Sequence, residues 1–159
     1  MTIEVGSKMP SGTLRYFAEG MHEVSTDELF AGKKIVLFGV PGAFTPTCND
    51  THLPGFMVNA DKIREAGADD IVCMAVNDPF VLAAWAKATG TGDHIRVLSD
   101  GSADYANALG LTLDLSGIGF GVRSARFAAI VDDGELKYLG VEPGKEVTVS
   151  GADAVLENL

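Results

Sequence analysis

The sequence predicts a single α/β domain, residues 1–159, built on a mixed central sheet with helices on both faces. Three observations carry this. Two strand-sized apolar runs are each ended by a turn and followed by a segment of helical period. A late pair of strands is joined by a tight-turn dipeptide. A chain of 159 residues is long enough to bury a core without disulfides or metal.

The first run, I-V-L-F-G-V at 35–40, ends at Pro41-Gly42 and reads as a strand buried on both faces. A helix then starts, with Thr45 suited to the N-cap and Pro46 to the first helical position. Leu53, Phe56, Met57, Ala60 and Ile63 recur at helical spacing as far as Gly67, and Pro54 is expected to bend the helix. The second run, I-V-C-M-A-V-N at 71–77, is followed by Asp78-Pro79 and a helix that places Phe80, Val81, Ala84 and Trp85 on its inner side. Ile95 to Leu98 predicts a third strand, 103–109 a short helix, and A-R-F-A-A-I-V with E-L-K-Y-L-G a hairpin turning at Asp133-Gly134. Residues 151–159 close as a helix. Parallel units followed by a hairpin and a terminal helix are the order of a thioredoxin-like fold.

Composition narrows function before any motif does. The hydrophobic fraction of 47% and charged fraction of 21% are those of a soluble globular chain. A formal net charge of -10 repels nucleic-acid phosphates and anionic lipid head groups, so neither is an expected partner. The first ten residues, M-T-I-E-V-G-S-K-M-P, have no secretory or transit character, and no apolar run reaches the length of a membrane span. A cytoplasmic location is expected. In a reducing compartment two cysteines are thiols rather than a bridge, and with three scattered histidines they make a poor metal set. No metal or other cofactor is expected.

Cys48 falls in the first turn of the helix after the first buried strand. Unpaired N–H groups and the positive end of the helix dipole favour a thiolate there. The competing reading is a small buried filler, since free cysteine is among the most buried residue types. The neighbourhood decides between them: the Thr45 hydroxyl lies one turn before the sulfur, and Pro41 and Pro46 fix the loop.

The segment V-P-G-A-F-T-P-T-C-N-D-T-H-L-P-G-F resembles the active site of peroxiredoxins, whose pattern Pro-x-x-x-Thr-x-x-Cys is met by Pro41, Thr45 and Cys48. H-L-P-G-F, V-N-D-P-F at 76–80 and G-V-R-S-A-R-F-A at 121–128 are similar to the subfamily of mammalian peroxiredoxin five and the plant type II enzymes. The resemblance implies a peroxidatic role for Cys48 and assigns the family's active-site arginine to Arg126, with Arg123 as the alternative. It also implies hydrogen peroxide and small alkyl hydroperoxides as substrates, and a homodimer. A thiolate attacking R-O-O-H becomes sulfenic acid as water or alcohol leaves. Charge moves from sulfur to oxygen, so donors are needed for both, a task that suits Arg126, Thr45 and the Cys48 N–H, with Pro41 as a shield against bulk water.

Cys73 sits in an uninterrupted apolar run and reads as core. The two-cysteine relatives carry a resolving cysteine near the C-terminus, where this chain has V-T-V-S-G-A-D-A. The resemblance is therefore to one-cysteine members, in which an external thiol reduces the sulfenic acid: glutathione with glutaredoxin by likeness to the plant enzymes, or thioredoxin. A thiol–disulfide oxidoreductase would show C-x-x-C, but Thr45 and Thr51 occupy the positions three before and three after Cys48. A non-enzymatic redox sensor or holdase would share the thiol and lack turnover.

His52, four residues after Cys48, either adds local positive charge or packs near Pro54. The glycines of S-G-I-G-F-G-V-R-S lack the helix and Gly-Lys-Ser/Thr of a phosphate loop and read as a turning approach to Arg123 and Arg126. Phe44, Phe80 and Phe120 are expected in the core, with interface anchors as the alternative.

Overall fold

The computed structural model describes residues 1–159. Strands β1 (Thr13–Phe17) and β2 (Met21–Ser25) lead to a one-turn helix α1 (Thr26–Phe30). Strand β3 (Lys34–Val40), helix α2 (Leu53–Glu65), β4 (Asp70–Ala75), α3 (Pro79–Thr89) and β5 (Arg96–Ser99) form the parallel units. Helix α4 (Asp104–Leu109), the short strands β6 (Thr112–Leu115) and β7 (Gly121–Ser124), the hairpin β8 (Phe127–Asp132) and β9 (Glu135–Val141), and α5 (Ala152–Asn158) complete the chain.

Seven strands make one sheet in the order β2-β1-β5-β4-β3-β8-β9, with β3, β4 and β5 parallel and the outer strands antiparallel. The apolar runs occupy its centre because both faces there are covered. Alternate residues of β3 separate into two cores. Val36, Phe38 and Val40 pack with Phe56 and Ile63 of α2, Trp85 of α3 and Val155 of α5. Ile35 and Leu37 pack on the other face with Leu29 of α1 and Tyr105 and Leu109 of α4. The expected mixed sheet with helices on both faces is therefore present.

The hairpin turns where expected: Asp133 and Gly134 have φ of 48° and 82°, the pair of positive values that a two-residue type I′ turn requires. Two expectations are corrected, and two strands are added. The chain carries β1 and β2 before the first predicted strand. The glycine-rich stretch turns at Ser116–Ile118 and Gly119 and runs into β7, the turning approach to Arg123 and Arg126 that was expected, and β7 pairs with β6 as a small second sheet. The irregularity assigned to Pro54 lies just before it, as a wider turn over Cys48–His52 in which the Leu53 N–H reaches the Cys48 carbonyl. Pro54 has no N–H, and its ring crowds the carbonyl four residues back; widening that turn accommodates both. Phe44, Phe80 and Phe120 are exposed by 53%, 57% and 44%, so they are not core residues.

Candidate active site

Cys48 lies in the widened turn at the head of α2, with no exposed surface. The helical path starts at Pro46, and the Asn49 N–H donates to the Thr45 carbonyl at 2.8 Å. Cys48 is thus in the first turn, where backbone donors lack partners one turn back. Across from it, Arg126 immediately precedes β8 and is only 6% exposed. Its Nη2 donates to Cys48 Sγ at 3.2 Å.

The same guanidinium is held from the other side. Arg126 Nη1 lies 2.9 Å from His52 Nδ1, and His52 Nε2 lies 2.8 Å from the Ser150 carbonyl. A carbonyl only accepts and a guanidinium only donates, so His52 is the neutral Nε2–H tautomer. Burial is the main reason that its pKa falls to about 4, and the Arg126 charge adds to it against the bond to Ser150 and the charge of Glu142. His52 is therefore a neutral acceptor and adds no positive charge. Its ring packs against Phe38 and Phe56, at centroid distances of 5.0 and 5.6 Å.

Arg126 Nε is buried with no protein partner. A buried donor left unpaired costs on the order of 1–3 kcal/mol unless something polar fills its place. Nη2 of the same guanidinium is on the sulfur, so the free donor lies beside the Cys48 contact.

The remaining expected residues are placed as follows. The Thr45 hydroxyl donates to the Gly42 carbonyl at 2.6 Å, bracing the loop rather than contacting the sulfur. Pro41 is half-buried at the end of β3. Arg123, the alternative arginine, donates from Nη1 to the Pro41 carbonyl at 3.3 Å and from Nε to the Phe120 carbonyl at 2.9 Å. It supports the loop that Arg126 faces. Asn77 accepts the Ala43 N–H at 3.0 Å, and Trp85 Nε1 donates to Asn49 at 2.9 Å, so the segment after β4 and helix α3 hold the loop and the turn. Phe44 within the loop has φ of 63°, a conformation that costs a non-glycine residue about 1–2 kcal/mol.

Cys73 is buried in β4 beside Phe38 of β3. Burial pushes its thiol well above the ordinary range, with the nearby Cys48 adding to the effect and Arg126 opposing it. Glu142 and Ser150, which complete the support of His52, went unrecognised in the sequence. They stand 90 and more residues from Cys48 with no motif to link them.

The Redoxin family model matches residues 4–156. Peroxiredoxin-2B of Arabidopsis thaliana is 48% identical over 159 residues, covering 99% of this chain and 98% of that one. Reduced Prx3 of Vibrio vulnificus, solved in complex with hydrogen peroxide, superposes with a TM-score of 0.94 at 45% identity, over 98% of this chain and 95% of that one. The antioxidant protein of Plasmodium falciparum, described as a 1-Cys peroxiredoxin, gives a TM-score of 0.91 at 30% identity, over 98% and 97% of the two chains.

Proposed function

The chain belongs to the Redoxin family and is a peroxiredoxin, a thiol-dependent peroxidase; on that premise we propose that Cys48 is its peroxidatic nucleophile in a one-cysteine cycle. The observation that carries the proposal is the buried Arg126 guanidinium donating to Cys48 Sγ at 3.2 Å. The Cys48 thiolate attacks the terminal oxygen of a hydroperoxide; the S–O bond forms as the O–O bond breaks, and the leaving oxygen takes a proton as water or alcohol. Arg126 serves first the thiolate and then the oxygen to which charge moves, with Nε available for a peroxide oxygen.

The donors matter more than ionisation. Converting an ordinary thiol wholly to thiolate near neutral pH gains only about tenfold to thirtyfold, or about 2 kcal/mol of barrier. Fast peroxide reduction therefore rests mainly on donors that follow the charge. Because Cys48 carries no exposed surface, a peroxide enters by displacing neighbouring side chains, which favours hydrogen peroxide and small alkyl hydroperoxides over bulky ones.

The sulfenic acid then reacts with an external thiol, forming a mixed disulfide and water, and a second thiol releases Cys48. Glutathione with glutaredoxin is the proposed reductant. The protonated, strand-bound Cys73 supports a cycle without an internal partner. Both cysteines being free thiols supports the cytoplasmic setting. The exposed Phe44, Phe80 and Phe120, with the Phe17 ring tilted against Phe80 at a centroid distance of 4.9 Å, support a homodimer formed beside the active-site loop. The test is steady-state peroxide consumption with glutathione and glutaredoxin, compared with thioredoxin. Turnover is expected with the former pair and lost in Cys48→Ser; turnover that survives the substitution refutes the assignment.

A further inference from the structure

We propose that Glu142 is a positioning residue for Arg126, acting at a distance through Ser150 and His52. Glu142 follows β9, and its N–H donates to the Arg126 carbonyl at 3.0 Å. Its carboxylate is a hub for the segment that follows. It accepts the Thr148 N–H at 2.7 Å, the Thr148 hydroxyl at 2.6 Å, the Ser150 N–H at 2.8 Å and the Ser150 hydroxyl at 2.7 Å. Burial opposes its ionisation, but these four donors outweigh burial and hold its pKa below the ordinary carboxylate value. Ser150 and His52 are buried with it.

The arrangement closes a ring. From the backbone of Arg126 it passes to Glu142, through the carboxylate to Ser150, from the Ser150 carbonyl to His52 Nε2, and from His52 Nδ1 back to the Arg126 guanidinium. The segment is also pressed onto β9, where a Cβ on Gly140 would stand 2.1 Å from the Val149 carbonyl oxygen. Only glycine permits that approach. Tyr138 additionally donates its hydroxyl to the Val149 carbonyl.

The chemistry of the ring gives Glu142 a task beyond holding a loop. A neutral imidazole has two tautomers, and only the Nε2–H form leaves Nδ1 to accept from Arg126. The Ser150 carbonyl selects that form, and Glu142 fixes where the carbonyl stands. Without the clamp, the ring is free to rotate or to exchange tautomers, and a ring presenting Nδ1–H to a guanidinium sets donor against donor. Arg126 then loses its aim at Cys48.

This inference rests on the peroxidase assignment for its effect on rate, but its structural arm does not. The rate arm compares reaction of reduced protein with hydrogen peroxide and with iodoacetamide, a neutral alkylating agent. Glu142→Ala is expected to slow the peroxide reaction about tenfold to thirtyfold and alkylation by less than about threefold, since an interaction absent from one transition state drops out of its rate. Glu142→Gln should recover most of the loss, because its oxygen accepts from Ser150 and its amide donates to the Thr148 hydroxyl. In a His52→Ala background, Glu142→Ala should add less than about twofold, as expected for residues acting through one path.

The structural arm reads the His52 ring by nitrogen-15 NMR in the absence of peroxide. Wild type and Glu142→Gln are expected to show the Nε2–H tautomer alone, and Glu142→Ala a mixture. Thr148→Val, which removes one of the four bonds, is the milder variant if Glu142→Ala fails to fold, and shifts both readouts in the same direction. An unchanged tautomer, or an undiminished effect of Glu142→Ala in the His52→Ala background, overturns the proposal. A wild-type Cys48 that is inert to peroxide overturns the peroxidase assignment instead, while the NMR arm still decides the positioning.

Discussion

Cys48 and Cys73 are the same residue type, both without exposed surface and both part of one apolar cluster. Burial therefore does not separate them; polar company does. Cys73 sits in a hydrogen-bonded strand, where burial holds the thiol protonated. Cys48 sits in a widened first turn and receives a guanidinium donor at 3.2 Å. On the proposed assignment of Cys48, the fold makes one a filler and the other a nucleophile by what it aims at each sulfur.

The largest expected effect comes from exchanging the two cysteines' fates. Cys48→Ser should abolish peroxide reduction, whereas Cys73→Ala should leave the rate within about twofold and cost about 1–2 kcal/mol of stability for a small cavity, read by denaturant titration. Removing the donor comes next. Arg126→Ala should lower the peroxide rate on the order of 10²–10³-fold, the scale for deleting a transition-state donor, with a far smaller loss toward iodoacetamide. Equal losses toward both reagents would show that Arg126 only maintains the thiolate.

The polar network around Cys48 should also show in acid stability. The folded His52 pKa of about 4 lies below its unfolded value of 6.5, so the unfolded chain binds the extra proton between those values. Stability is then fully present above pH 6.5 and falls by about 3 kcal/mol as pH drops toward 4. Glu142 acts in the same direction: its folded pKa is depressed, so its contribution is present above the ordinary carboxylate value and is lost as pH falls through the folded one. His52→Phe should flatten the pH 4–6.5 limb of the unfolding profile; an unchanged limb would contradict a buried neutral His52. The smallest effect concerns association. Phe80→Glu is expected to shift a dimer toward monomer in light scattering while leaving the single-turnover peroxide rate within about threefold.

The contrast between the cysteines was legible in sequence because its causes are local. An apolar strand run surrounds Cys73, and a strand, a proline-fixed turn and a helix start precede Cys48. The Asp133-Gly134 turn was equally plain, since few dipeptides suit two positive φ values. Arg126 became legible only through family resemblance, as nothing in its spacing from Cys48 brings the two together. The Glu142–Ser150–His52 path was not legible at all: it depends on how β9 and the following segment pack, and hydrogen bonds between distant residues leave no periodic trace. The exposed Phe80 misled for a related reason. Its spacing on α3 fits an inward face, but the inner surface of that helix is filled by Leu82 and Trp85.

The most direct test of the peroxidatic role of Cys48 is a stopped-flow reaction of the reduced protein with substoichiometric hydrogen peroxide, quenched and mapped by mass spectrometry. Oxidation should be confined to a Cys48 sulfenic acid that converts to a mixed disulfide when glutathione is added, with sulfinic acid accumulating under excess peroxide. A Cys48–Cys73 disulfide as the sole product, or equal oxidation of the Cys48→Ser protein, would contradict it.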